Sequence, residues 1–232
     1  MPGQKIGRFE ILNELGQGSH GTVYLAHDLQ LDRRVVIKTL CRTGQHEAHI
    51  VSSLQHPNII ALYDSGEHQG SPYLVYAFVE GETLSQLLKQ DHILPFVRAA
   101  EIACGVLAGL ACAHAQGVLH LDIKPANVMI SGVPMVMDFG QAMLNGDDAI
   151  SRYMAPELIS DGQYDEIADI YSVGAILYEM VTGECPAGGD NGDMAHAIAA
   201  PSSRNIRVDE KLEAIILKAV AKNPPQDQAG SV

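Results

Sequence analysis

The chain has 232 residues, 47% of them hydrophobic and 19% charged, an ordinary globular composition that allows one large domain or two small lobes. Its 28 acidic and 15 basic side chains leave a formal net charge of −13, which argues against a nucleic-acid partner, because such a partner needs a basic stripe. Without an apolar run near ~18 residues or a secretory signal, we expect no membrane segment and a cytoplasmic location. The cysteines lack CxxC spacing and are expected to be reduced thiols without a structural metal: Cys41, Cys104, Cys112 and Cys185.

In chain order, the first third has the pattern of strands and the remainder that of helices. Strands are predicted over residues 6–15, 22–27, 34–40, 59–63 and 73–79, with one helix over 47–54. Later helices are predicted over 84–89, 95–116, 168–182 and 209–221, with Pro95 starting the longest. A β-rich part followed by a helical part indicates an α+β protein with two lobes, 1–79 and 80–232.

A glycine-rich sequence, GQGSHG, occupies residues 16–21 between the first two predicted strands. Glycines let a backbone approach phosphate groups without a Cβ clash. The GxGxxG pattern is weak by itself, because it also opens the βαβ units that bind dinucleotides. Here a strand follows instead of a helix, which favours a flexible hairpin over phosphates.

Lys38 ends an apolar strand, where its charge is costly unless it meets an anion. In isolation, an edge lysine whose amine reaches water is the more common case. Glu47 lies on the next predicted helix, where a solvated carboxylate would be equally ordinary. These two residues become informative only together with the motifs that follow them.

A polar segment, HLDIKPAN at residues 120–127, precedes DFG at residues 138–140. Asp122 could accept a proton from a hydroxyl group, and Lys124 could hold a phosphate. Asn127 and Asp138 offer oxygen ligands suited to Mg²⁺. Phosphoryl transfer needs mainly positioning and neutralised charge, which such a set supplies.

The glycine loop, Lys38, Glu47, the 120–127 segment, DFG and the APE sequence at 155–157 occur in one fixed order. In this order the chain resembles the eukaryotic-type protein kinases over residues 9–225, and most of all the bacterial Ser/Thr kinases. The resemblance implies a two-lobed kinase fold with an ATP cleft between a small β-rich N-lobe and a larger helical C-lobe. It also implies transfer of the γ-phosphoryl group of ATP to protein Ser/Thr hydroxyls with Mg²⁺ or Mn²⁺.

The resemblance assigns expected roles to individual residues. Asp122 would be the catalytic base, Lys124 would contact the γ-phosphate, and Asn127 and Asp138 would hold the metal. Lys38 would bind the α- and β-phosphates and pair with Glu47. The expected nucleotide-binding residues are Leu15, Gly16, Gln17, Gly18, Gly21, Val23, Val36, Lys38, Tyr76, Ala77, Val79 and Met129. Asp169 would brace the catalytic loop, and a column linking the lobes would contain Val51, Leu62, His120 and Phe139.

The chain departs from the kinase pattern beside the catalytic base. Leu121 replaces the usual arginine, which ordinarily pairs with a phosphate on the activation loop. Between Gly140 and Ala155 the only hydroxyl side chains are those of Ser151 and Tyr153. We therefore expect activity that does not wait for phosphorylation of this loop.

Other departures leave alternatives open. Val36 stands where alanine is usual, Ile150 replaces a threonine, and Asp227 replaces an arginine that normally pairs with Glu157. Only nine positions separate Lys38 from Glu47, and the last helix of the family is not recognisable. A nucleotide-binding pseudokinase that acts as a scaffold or allosteric partner is therefore the main alternative. A small-molecule phosphotransferase is a third, although it would leave the 153–157 segment without a purpose.

Overall fold

The computed structural model describes residues 3–18, 21–40, 53–139, 151–160, 165–186 and 198–221. Its first part forms an antiparallel sheet whose strands run in the order β1-β2-β3-β4-β6-β5. The strands are β1 (Lys5–Ile6), β2 (Phe9–Gly18), β3 (Gly21–Asp28), β4 (Arg33–Thr39), β5 (Leu62–His68) and β6 (Ser71–Ala77). One face of this sheet buries a small apolar core that includes Phe9, Val35 and Ile37. The β-branched residues of the predicted strands supply most of that face.

The remainder of the described chain is mostly helical. Its helices are α1 (Leu84–Asp91), α2 (Phe96–His114), α3 (Pro156–Ser160), α4 (Glu166–Thr182), α5 (Pro201–Arg204) and α6 (Glu210–Ala219). A small three-stranded sheet has the strand order β7 (Glu82–Thr83), β8 (Val128–Ser131) and β9 (Val133–Val136). A 3₁₀ turn, Pro125–Asn127, leads directly into β8.

Local sequence signals explain where the helices begin and end. Thr83 and Gln86 form a capping box at the start of α1, in which each side chain bonds the other residue's backbone N–H. The carboxylate of Asp165 caps α4 by accepting from the N–H of Ile167 at 2.9 Å. Gly183 ends α4 with a φ of 80°, a left-handed conformation that glycine adopts without strain.

Helices α2 and α4 form the centre of the helical part. They pack against each other, and α4 also contacts α6. By length and composition α2 could span a membrane, with a mean hydropathy of 1.7 over its most apolar window. Its packing against both α4 and β9 is that of a core helix.

Some predicted boundaries are wrong. The strand predicted over 59–63 begins only at Leu62 and runs to His68. Ile59 and Ile60 point into the core, with 2% and 7% exposure, and Ile59 makes an isolated bridge to Val136. The apolar spacing there reflects burial and this single bridge to β9, and not a continuation of β5. The helix predicted over 47–54 lies mostly outside the described residues, and Leu54 is not helical.

Candidate active site

A cleft of about 320 Å³ opens between the β-rich and helical parts of the domain. The predicted residues that line it are Leu15, Gly16, Val23, Val36, Lys38, Tyr76, Ala77, Val79, Met129 and Asp138. Its walls are mainly apolar, with Lys38 and Asp138 supplying charge at one end. A cleft of this kind suits a ligand with a flat apolar ring and a charged extension. In such sites the apolar walls bury the ligand and a small number of polar groups fix its orientation.

The predicted glycine residues lie at the tip of the β2–β3 hairpin. Gly18 pairs with Gly21, and Gln17 pairs with Thr22, beyond the part of β2 that lines the cleft. Gly21 has a φ of 138°, and a Cβ there would lie 1.7 Å from the carbonyl oxygen of Thr39. Only glycine fits this position, so the close approach of the hairpin to β4 requires Gly21.

Lys38 reaches from β4 to the DFG segment. Its Nζ lies 3.0 Å from Asp138 Oδ1, and its side chain is 7% exposed. The expected pairing with Glu47 concerns a residue outside the described part of the chain. A buried ammonium group needs an anionic partner, and in this structure Asp138 provides one.

The catalytic-loop residues form a second polar group. Lys124 Nζ lies 2.7 Å from Asp122 Oδ2, and Asn127 Nδ2 donates to the same oxygen at 3.0 Å. The same amide also donates to the backbone carbonyl of Asp122 at 2.8 Å. Because both contacts use the amide nitrogen, the amide oxygen of Asn127 points away from Asp122. The carboxylate is thus fixed by two donors while its side chain keeps 14% exposure.

Short backbone bonds connect the two polar groups. The N–H of Met137 donates to the carbonyl of Asn127 at 3.0 Å, which places Asp138 next to the catalytic loop. His120 Nε2 lies 2.9 Å from the carbonyl of Met137, and its Nδ1 accepts from the N–H of Asp122. With Nδ1 accepting, Nε2 is the ring nitrogen that donates to the carbonyl of Met137. The lysines, carboxylates and amide predicted from the motifs therefore meet at one place.

Part of the column of side chains that is predicted to link the two lobes is also present. The ring centroids of His120 and Phe139 lie 4.7 Å apart, and both side chains are buried. Leu62 packs against the main core, while Val51 lies outside the described residues. The stack fixes the position of His120, and through it the backbone on both sides of the site.

Asp169 on α4 holds the backbone of the catalytic loop, as predicted. Its fully buried carboxylate accepts from the N–H groups of His120 at 2.9 Å and Leu121 at 2.7 Å. A third contact, from His114 Nε2 at 2.8 Å, was not predicted. Burial by itself would raise the pKa of Asp169, but these hydrogen bonds outweigh it and hold the pKa below its ordinary value.

Sequence reasoning missed several residues of the site. Ile60, Phe78, Thr83 and Met137 also line the cleft. Phe78 and Met137 adjoin predicted residues, so adjacency was an available signal. For Thr83 the sequence pattern indicates only a helix cap and not a residue of the cleft. His114 sits at the end of the long predicted helix, and its aspartate partner is 55 positions away, a distance that no local pattern spans.

The segment around APE docks onto α4. Tyr153 donates from its hydroxyl to Glu179 Oε2 at 2.7 Å, and burial, with this contact, raises the pKa of the Tyr153 hydroxyl. Ala155 is fully buried, and Leu158 packs partly behind it. Ile150 and Asp227, two of the noted departures, lie outside the described residues.

Comparisons with known proteins agree with this architecture. Residues 9–226 match the protein kinase domain family. The chain is 36% identical to the serine/threonine-protein kinase PrkC of Bacillus subtilis, over 96% of this chain and 39% of PrkC. It is 34% identical to the serine/threonine-protein kinase PknB of Mycobacterium leprae, over 94% of this chain and 40% of that protein. PknB of Mycolicibacterium smegmatis is 36% identical over 94% of this chain and 40% of its own length.

The fold and the motif order define a protein kinase domain, and the chain belongs to the protein kinase family. The predicted α+β, two-lobed fold and the resemblance to bacterial Ser/Thr kinases are thereby confirmed. The chain spans about two fifths of the length of these relatives.

Proposed function

We propose that this domain is a protein Ser/Thr kinase that transfers the γ-phosphoryl group of Mg-ATP to protein hydroxyl groups. The observation that carries the proposal is the setting of Asp122, whose carboxylate is held by Lys124 and Asn127 beside an apolar cleft. Membership of the kinase family supports the reaction, and the names of the relatives support Ser/Thr acceptors. Because ATP is the donor, we also propose that the domain works in the cytoplasm.

Each residue has a distinct task in the proposed reaction. Asp122 accepts the proton of the acceptor hydroxyl as that oxygen bonds to the γ-phosphorus, while the bond from this phosphorus to the bridging oxygen breaks and ADP leaves. Lys124, whose side chain is 36% exposed beside Asp122, neutralises the transferred group. Lys38 does the same for the remaining phosphates from the wall of the cleft. This division fits phosphoryl transfer, which depends on positioning and charge neutralisation more than on covalent chemistry.

The residues present fit a magnesium ion and its nucleotide. Asn127 turns its amide oxygen away from Asp122, and Asp138 contributes a carboxylate at the charged end of the cleft. No cluster of three or more His, Cys, Asp or Glu suited to a metal occurs among the described residues. A site with one or two protein ligands, completed by phosphates and water, is what Mg²⁺ prefers. Bound there, the ion would neutralise charge on the phosphate oxygens.

Val36 is proposed to narrow the slot for the purine ring. Changing Val36 to Ala is expected to lower the KM for ATP about tenfold, because an overfilled apolar pocket is relieved, with kcat unchanged. The measurement is initial rate against ATP concentration. Val35→Ala is the matched control, since Val35 is fully buried on the other face of β4 and should leave the KM unaffected. A higher KM in Val36→Ala would mean that Val36 packs favourably on the ring.

The proposed enzyme is active without phosphorylation of the loop between DFG and APE. Leu121, next to the catalytic base, is apolar and 6% exposed, so it offers no charge to a phosphate. Phosphatase-treated enzyme and Ser151→Ala are therefore expected to keep the wild-type rate within about twofold, since no charge-assisted contact is lost. Phosphate content is checked by mass spectrometry. A rate that collapses on dephosphorylation and returns with autophosphorylation would contradict this prediction.

The defining test is transfer from γ-labelled ATP to myelin basic protein, run beside Asp138→Asn. Label on serine and threonine of the acceptor or of the domain, lost in Asp138→Asn, is the expected result. Stabilisation by Mg-ATP without any transfer would instead identify a pseudokinase. Label on a small alcohol or amine and on no protein would identify a small-molecule phosphotransferase. Asp209→Asn is the matched control, because Asp209 is an exposed cap of α6 and asparagine caps equally well.

A further inference from the structure

Leu121 adopts a backbone conformation that a leucine seldom takes. Its φ is 60°, in the left-handed region, and its side chain is buried at 6% exposure. The conformation costs free energy for any residue with a Cβ and persists only where the surroundings enforce it. Here the N–H of Leu121 donates to Asp169 Oδ1 at 2.7 Å, which fixes the backbone and sends the side chain away from the cleft.

The side chain of Leu121 enters a separate apolar cluster, distinct from the two larger cores. Its buried members, which we call the Leu121 cluster, are Leu121, Ala155, Ala168, Tyr171, Ala175 and Val220. They come from the catalytic loop, the APE segment, α4 and the end of α6. Tyr153 and Leu158 pack partly buried at its edge. The cluster therefore joins the residue before the catalytic base to the segment that follows the activation loop.

Among the described residues, two contacts of the 153–158 segment are made by unmodified side chains. One is the apolar contact with the Leu121 cluster, in which Ala155 is fully buried. The other is the hydrogen bond from Tyr153 to Glu179. An apolar anchor is present in every molecule at all times, whereas a phosphate contact depends on modification.

We propose that Leu121 is a positioning residue, which keeps the 153–158 segment permanently docked and so aligns the protein acceptor with Asp122. The proposal rests on the proposed kinase function and extends it to the regulation of the same site. It makes the acceptor side of the site dependent on apolar packing, while nucleotide binding relies on other residues. Loss of the anchor should therefore change the KM for the protein acceptor and leave the KM for ATP unchanged.

The test compares Leu121→Ala with Leu121→Met in the dephosphorylated enzyme. Leu121→Ala is expected to raise the KM for myelin basic protein about tenfold or more, because a mobile docking segment weakens acceptor binding, while the KM for ATP stays unchanged. Leu121→Met keeps the volume and is expected to restore near-wild-type values. Hydrogen exchange over residues 151–158 should be faster in Leu121→Ala than in the wild type.

Two controls separate anchoring from general destabilisation. Val208→Ala truncates another buried aliphatic side chain of the helical part, at 5% exposure in the main core, and should leave the acceptor KM unchanged. If Leu121→Ala does not fold, Leu158→Ala at the edge of the cluster must show the same rise in the acceptor KM. Unchanged acceptor KM and unchanged exchange in either cluster variant would overturn the proposal.

The failure of the proposed function is distinguishable from this outcome. If the wild type transfers no phosphate to any acceptor, the kinase proposal fails. The exchange experiment then decides the anchor by itself: faster exchange over 151–158 in Leu121→Ala supports it, and equal protection refutes it.

Discussion

Replacing Asp122 by asparagine is expected to slow phosphoryl transfer about 10²- to 10⁴-fold, the usual contribution of a general base. Asparagine has nearly the same shape, so it can still meet Asn127 and Lys124, but its amide cannot take a proton from the acceptor hydroxyl. The loss should fall on kcat, because Asp122 does not line the cleft proposed to bind the nucleotide. Single-turnover transfer from labelled ATP gives the rate of the chemical step directly.

Nucleotide binding supplies the control for this experiment. Thermal stabilisation by Mg-ATP should be equal in Asp122→Asn and the wild type. A variant that transfers phosphate within about threefold of the wild-type rate would show that proton removal does not limit the reaction, in line with the loose transition state of phosphoryl transfer. Loss of Mg-ATP binding would show instead that the substitution disturbs Lys124 and the rest of the loop.

The charges of the site are balanced in pairs. Lys38 lies 3.0 Å from Asp138, and Lys124 lies 2.7 Å from Asp122. The attraction within each pair offsets part of the desolvation penalty of the charges that are taken out of water. In the proposed reaction a triphosphate would compete with the carboxylates for both lysines, which would leave Asp138 available to a cation and Asp122 available to a proton.

Much of the site was predictable because its parts lie in short motifs. Asp122, Lys124 and Asn127 fall within six positions of one another, and the 3₁₀ turn after Lys124 brings them together. The capping residue Asp165 and the terminating Gly183 likewise act through neighbours in sequence. Such local signals survive in a single sequence because the geometry that they require is local too.

Contacts between distant segments were not predictable in the same way. Lys38 meets Asp138, a residue 100 positions later, and His114 meets Asp169. The wrong strand boundary at residues 59–63 has the same origin, since residues buried beside Val136 and residues of an extended strand produce the same apolar spacing. The packing of Leu121 is the clearest example of a contact that the sequence does not predict. The sequence shows that leucine replaces the usual arginine, but only the fold shows the apolar cluster into which this leucine packs.

The carboxylate of Asp169 holds the backbone of the catalytic loop in place. It is fully buried and accepts from three donors, on His114, His120 and Leu121. In Asp169→Asn the new amide nitrogen must face one of these donors, so at least one hydrogen bond is replaced by repulsion. We expect the free energy of unfolding to fall by about 3–5 kcal/mol, as when one partner of a buried ionic contact is removed. Transfer should fall as well, because the backbone before Asp122 loses its support.

The pH dependence of this loss distinguishes the charge from simple packing. The folded protein lowers the pKa of Asp169 despite burial, which by itself would raise it. A carboxyl whose folded pKa is depressed stabilises the fold fully above its unfolded pKa, and this stabilisation is lost as the pH falls through the folded pKa. The difference in unfolding free energy between the wild type and Asp169→Asn should therefore be largest near neutral pH and shrink below about pH 4. Urea denaturation at several pH values measures it, with the exposed cap variant Asp209→Asn as the matched control. A difference that stays constant down to acid pH would mean that Asp169 acts through its shape and not through its charge.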